Sequence, residues 1–381
     1  MKQLLISTAI GLCVSFGAAS IAQAEIKLGA SISATGPAAF LGDPEAKTLE
    51  LLVEELNAKG GINGEQIKLV LYDDGGDPNK ARTFATRLVE DDEVSAIIGG
   101  TTTGTSMSIL AVAEDAEVPF ISLAGAIEII NPVRPFTLKT PHTDRMACEK
   151  IFDDIKKRGF TKIGMISGTD GFGASMQAQC KDVVGNYGLT IVADETYDPK
   201  DSDMTAQLTK IRNTEGVQAL VNPGFGQGPS IVTRNYKQLA MDLPFYQSHG
   251  VASDAFIELA GADAAEGVRL PGTALLVADL LDDADTQKAP VVAYKTAFEA
   301  KTKTSVGTFG GYANDAFLIM TEALKRAGST EPQAIRDAIE ATSGLAGTTG
   351  IYTFSPTDHL GLDLSAFRML EIKGGKWNLV E

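Results

Sequence analysis

Five hydroxyl side chains fall within six residues: Thr101, Thr102, Thr103, Thr105 and Ser106, with Gly104 between them and Gly99-Gly100 just before. They follow the short apolar run Ala96–Ile98 and precede a helical pattern over Ser106–Ala116. A glycine- and hydroxyl-rich loop that opens a helix offers amide N–H groups, hydroxyls and the positive end of the helix dipole to an anion, such as a carboxylate. The plainer reading is a polar helix cap, yet one cap needs fewer hydroxyls than five. Other segments of the same kind end in small, polar or aromatic residues: Ala124-Gly125-Ala126, Gly168 to Gly173 with Phe172, Asn222 to Gly226 with Phe225, and Gln247-Ser248-His249-Gly250. Apolar walls with a few placed polar groups make a small-molecule pocket.

The residues for catalysis are sparse. Gly224-Phe225-Gly226-Gln227-Gly228 lacks the third glycine that a dinucleotide loop needs, and the chain holds neither a phosphate-binding Gly-x-x-x-x-Gly-Lys-Ser/Thr loop nor a Gly-x-Ser-x-Gly elbow. Three histidines, His142, His249 and His359, give no metal-ligand spacing, and no cofactor or metal is expected. His249 as a catalytic base lacks an evident nucleophile to activate.

The elements that position these loops alternate. Ile26–Ser33 reads as a strand, and Asp43-Pro44 as the start of a helix carrying Leu49, Leu52, Val53 and Leu56 on one face. Gln66–Tyr72, Ala96–Ile98 and Val118–Leu123 continue as strands with helices between. After Pro141 the rhythm restarts, with strands at Lys162–Ser167, Leu189–Ala193, Val217–Val221 and Leu243–Tyr246. Long helices over Thr308–Ala327 and Glu331–Ala341 come late, then strands at Gly350–Phe354 and Phe367–Ile372. Such alternation predicts parallel sheets covered by helices, and the restart predicts two of them. In such sheets ligands bind beyond the carboxyl ends of the strands, where the loops above lie.

The chain has 381 residues and a net charge of −16, which disfavours nucleic acid as a partner. Residues 1–24 read as a signal peptide: Lys2, an apolar run from Leu4 to Phe16, and Ala22-Gln23-Ala24 ahead of cleavage. Export to the periplasm follows, and export would permit Cys148 and Cys180 to pair, although sequence does not say whether they meet.

Ser33-Ala34-Thr35-Gly36-Pro37, Phe40-Leu41-Gly42, Ile62-Asn63-Gly64, Tyr72-Asp73-Asp74, Asp77-Pro78, Ile98-Gly99 and Phe309 to Ala316 together resemble the leucine/isoleucine/valine-type periplasmic binding proteins. The resemblance spans the mature chain. It implies the class I α/β fold: two Rossmann-like lobes with parallel sheets, joined by three hinge crossings, closing on a ligand and docking on an ABC permease of the inner membrane. It implies a first lobe of residues 25–142 and 273–345, a second of 143–272 and 346–381, and a monomer. By position, Thr103 matches the hydroxyl that holds the ligand carboxylate, with Thr102 and Gly104 beside it. Ala124 and Ala126 match positions that offer backbone groups, and Phe40, Phe172 and Phe225 match pocket aromatics. His249 stands where amino-acid binders carry an acidic residue for the ligand ammonium. Thr35 to Ala39, Tyr246 to Ala252 and Thr308 to Gly311 are similar to binders of hydroxycinnamates and hydroxybenzoates, in which Gly310-Gly311 would leave room for a flat ring. The resemblance thus implies a small-carboxylate ligand and no enzymatic step. A branched-chain or other hydrophobic amino acid, a ligand-sensing role, and an exported enzyme are the alternatives.

Overall fold

The computed structural model describes residues 25–380, so the expected signal peptide lies outside the described residues. The first lobe opens with β1 (Glu25–Ile32), α1 (Ala39–Ala58), β2 (Gln66–Asp73), α2 (Pro78–Glu90), β3 (Ala96–Gly99), α3 (Thr103–Asp115), β4 (Phe120–Ser122) and β5 (Thr137–Lys139). The chain then crosses over and builds α4 (Asp144–Lys157), β6 (Lys162–Gly168), α5 (Gly171–Val183), β7 (Thr190–Tyr197), α6 (Thr205–Asn213), β8 (Ala219–Asn222) and α7 (Gln227–Gln238). β9 (Phe245–Gln247), α8 (Asp254–Ala260), α9 (Ala262–Ala265) and β10 (Arg269–Gly272) complete this run. It returns through α10 (Lys288–Thr302) to α11 (Thr308–Ala327), α12 (Pro332–Glu340), β11 (Leu345–Ala346) and β12 (Ile351–Tyr352). It ends with β13 (Arg368–Lys373) and β14 (Lys376–Leu379).

Two sheets result. The first has the order β2-β1-β3-β4-β5 and is parallel throughout. The second has the order β14-β13-β10-β9-β8-β6-β7, with β13 and β14 antiparallel at one edge. β3 and β8 are buried along their whole length, as strands covered by helices on both faces must be, and this is why they read as short apolar runs without alternation. The long late helix α11 docks on α1: Phe309, Ala313, Ala316, Phe317, Met320 and Leu324 join Leu28, Ile32 and Leu49 in the first-lobe core. Strand order in the first sheet reverses between β1 and β3, which opens a crevice at the carboxyl ends.

β5, β10 and β14 are strands that the sequence reading did not contain, and three further departures bear on the site and the lobes. α1 begins at Ala39, four residues before Asp43, and carries Pro44 inside it. α3 begins at Thr103, three residues before Ser106, so the hydroxyl loop is partly helix. The last crossing lies later than residue 345: Tyr352 and Phe354 sit in the first-lobe core, and His359 Nδ1 lies 2.9 Å from the Thr137 carbonyl oxygen. Aromatic burial against α11 and β5 holds this segment to the first lobe until the chain leaves for β13.

Candidate functional site

The five hydroxyls meet different fates. Thr102 caps α3 in a reciprocal box: its Oγ1 accepts from Thr105 N at 3.2 Å, and Thr105 Oγ1 accepts from Thr102 N at 3.0 Å. Thr101 donates to the buried Glu45 carboxyl at 2.6 Å and accepts from Ser33 N. Burial pushes the Glu45 carboxyl well above the usual range. Ser106 donates to the Gly100 carbonyl at 2.6 Å and lies 2.7 Å from Ser122 Oγ. Thr103 alone of the five has a buried hydroxyl without a partner. It occupies the first position of α3, where free amides and the helix dipole also point. An unmatched buried hydroxyl costs about 1–3 kcal/mol, a debt that a ligand oxygen would cancel.

Thr103 faces a cavity of about 40 Å³ between the lobes. Its first-lobe walls are Leu41, Thr101–Thr103, Leu123–Gly125, Pro141, Phe309 and Tyr312; the second lobe adds Phe172, Phe225, His249 and Gly250. Among the described residues no carboxylate, lysine or arginine lines it; Asp77 and Asp170 lie in the groove that adjoins it at Thr102, Thr103, Phe172 and Phe225. Phe172 is placed by Asp170, whose carboxylate accepts from Phe172 N and Gly173 N to cap α5. Phe172 meets Phe225 edge-on at 6.2 Å and His249 at 5.4 Å between ring centroids. Ser248 caps the turn that carries His249. The lobes touch here: a Cβ on Gly125 would lie 2.8 Å from Phe172 Cε2 and 2.9 Å from His249 Nε2.

His249 is buried and stays neutral. Burial depresses its pKa well below 6.5, and the nearness of two other basic groups, His142 and Lys139, pushes the same way. Its Nδ1 has no partner. His142, in the first crossing, stacks on Phe367 at 3.9 Å, and burial lowers its pKa to about 3. Lys139 is fully buried, its pKa pulled down to about 7 by desolvation, and it donates to the Ala126 carbonyl at 3.2 Å. Asp144 holds the other side of that peptide, accepting from Ile127 N at 3.0 Å, while its own N–H donates to the Gly125 carbonyl.

Six of the ten residues singled out in the sequence therefore line the cavity: Thr102, Thr103, Ala124, Phe172, Phe225 and His249. Four lie elsewhere. The Phe40 ring packs behind Phe309, 5.9 Å between centroids. Gly104 lies on an outer groove with Pro37, Gly76, Asp77 and Gly171. Ala126 is core, its carbonyl already taken by Lys139. Gly311 leaves no ring-sized space toward the cavity, because its bare Cα fits against Leu275, Thr348 and Thr349. Sequence reasoning missed Leu41, Pro141, Phe309 and Tyr312; the i, i+3 spacing of the last two on α11 was the available signal.

A sequence model described as a periplasmic binding protein matches residues 25–376. The chain belongs to the periplasmic binding protein family. Its relatives include the leucine-, isoleucine-, valine-, threonine- and alanine-binding protein of Pseudomonas aeruginosa, 27% identical over 351 residues that cover 91% of this chain and 88% of that one. A solved extracellular ligand-binding receptor from Rhodopseudomonas palustris HaA2 is 30% identical with a TM-score of 0.87, covering 94% of this chain and all of that one. The branched-chain amino acid transporter substrate binding protein LivJ from Streptococcus pneumoniae, solved in complex with isoleucine, is 25% identical with a TM-score of 0.83, covering 94% and 99%. As in these relatives, the two-lobed chain is a binding protein and not an enzyme. Cys148 and Cys180, on α4 and α5 of the second lobe, are joined by a disulfide.

Proposed function

We propose that the chain is the periplasmic, monomeric binding component of an ABC importer and captures a small carboxylate without an α-ammonium, of the hydroxybenzoate or hydroxycinnamate class. The observation that carries this reading is the lining itself: Leu41, Leu123, Phe172, Phe225 and Phe309 give apolar walls, and among the described residues that line the cavity neutral His249 is the one histidine and none is acidic. A buried ammonium without a compensating carboxylate costs several kcal/mol. The Thr103 hydroxyl and the α3 N-terminus supply the carboxylate end.

A hydrophobic amino acid is the second reading, favoured by what the relatives from Pseudomonas aeruginosa and Streptococcus pneumoniae are described as binding. Thermal shift on ligand-stripped protein separates the two, with leucine, isoleucine and valine set beside benzoate, 4-hydroxybenzoate, cinnamate and 4-hydroxycinnamate. A ligand at 100 times its Kd adds about 2.7 kcal/mol of stability. Stabilisation by the aromatic acids alone supports the first reading, and stabilisation by leucine or isoleucine alone replaces it with the second.

A further inference from the structure

The cavity has a measurable direction across the first sheet. Thr101–Thr103 follow β3, Leu123–Gly125 follow β4, and Pro141 follows β5, and these three strands are neighbours in that order. Adjacent strands lie about 4.8 Å apart, so the β3 and β5 ends of the cavity are separated by about 10 Å. Thr103 marks the first end. Tyr312 marks the second: its carbonyl accepts from Thr140 Oγ1 at 3.0 Å, just before Pro141. Its side chain is 2% exposed and lines the cavity.

The Tyr312 hydroxyl is not fully engaged. It meets His142 Nδ1 at 3.4 Å, a long contact, and whichever atom donates, one hydrogen-bonding position on the hydroxyl remains. His142 Nε2 is itself buried and unpartnered. Burial keeps the phenol protonated and the imidazole neutral, so this end offers hydrogen bonds and no charge. A purely aliphatic side chain would leave the open position on the Tyr312 hydroxyl unmatched, whereas a ligand hydroxyl would satisfy it.

We propose that Tyr312, positioned by His142, is a specificity-determining residue that reads a hydroxyl at the end of the ligand remote from its carboxylate. The inference rests on the carboxylate reading above and narrows it to a bifunctional ligand: a rigid planar acid with a distal hydroxyl. A hydroxycinnamate places its two polar groups at opposite ends of one plane and matches the span; leucine has only one polar end.

Calorimetric titration of matched pairs tests this. The pairs are 4-hydroxycinnamate with cinnamate and 4-hydroxybenzoate with benzoate, against the wild type and Tyr312→Phe. The wild type should prefer the hydroxylated member of at least one pair tenfold or more. Tyr312→Phe should abolish that preference by weakening only the hydroxylated ligand, while the bare acid keeps its affinity. A change that were merely structural would weaken both members alike, and that result overturns the proposal. Wild-type binding of both members without preference also overturns it, while leaving the carboxylate reading intact. Binding of leucine with no binding of any aromatic acid overturns both.

Discussion

Substitution of Gly125 by alanine tests how the cleft closes. The added methyl would stand 2.8 Å from Phe172 Cε2 and 2.9 Å from His249 Nε2, where ordinary contact needs about 3.4 Å or more. Neither neighbour can swing aside freely, since Phe172 is braced by Phe225, and His249 lies edge-on to both Phe172 and Phe367. Overpacking of this size costs about 1–3 kcal/mol. Both obstructing rings belong to the second lobe and Gly125 to the first, so the cost falls on the closed state and spares each lobe alone. Ligand affinity draws on the closed state, which converts that cost into a Kd roughly 5- to 150-fold weaker. Calorimetric titration gives the Kd, and thermal unfolding of ligand-free protein gives the control, which should stay near the wild type. An unchanged Kd would refute the assigned closure contact. A ligand-free protein destabilised by the full 1–3 kcal/mol would instead place the clash within one folded lobe.

Other outcomes follow from single features. Thr103→Val keeps the buried volume and removes the one unpartnered hydroxyl of the loop; it should weaken carboxylate binding by about fivefold or more, worth ~1 kcal/mol, and a neutral effect would place the carboxylate elsewhere. Replacing Cys148 and Cys180 by alanine opens a loop of 32 residues and should cost ~3–4 kcal/mol in denaturant unfolding, yet leave Kd unchanged, because both cysteines lie in the second lobe and away from the cavity. For pH, the His142 value of about 3 lies below that of an unfolded chain, so the unfolded state takes up protons first. Stability is present above about pH 6.5 and is lost as pH falls below it, by ~2 kcal/mol at pH 5 from His142, with His249 adding in the same direction. Urea unfolding at pH 7.5 and 5 should show a smaller loss in a His142→Gln, His249→Gln protein, and an equal loss would refute the assignment.

Much of the frame was legible in the sequence. Helix α11 spans Thr308–Ala327 as its apolar spacing indicates, and β3 and β8 announce burial on both faces by unbroken apolar runs. The hydroxyl loop was legible as polar and as a helix start. What sequence could not show was how those hydroxyls divide, since Glu45, Ser33 and Ser122 reach Thr101 and Ser106 only through the tertiary fold. The same holds for Phe309 and Tyr312, which enter the cavity because α11 returns to α1, about 250 residues away in the chain. Pro44 misled because a proline early in a helix looks like its first residue, and α1 accommodates it one turn further in. Cys148 and Cys180 gave no pairing signal, because their approach depends on how α4 lies against α5.

The first lobe is discontinuous in the chain, and this governs the order in which the molecule can be completed. Its strands β1 to β5 all precede residue 140, but the helix that fills its core, with Phe317, Ile319, Met320 and Leu324, comes after residue 308. A chain that emerges N-terminus first can cover one face of this sheet early with α2 and α3, but the face that α11 fills waits for nearly 170 residues of intervening polypeptide. The run from α4 to β10 is continuous and can collapse sooner. During synthesis that apolar face stays open until α11 arrives to cover it.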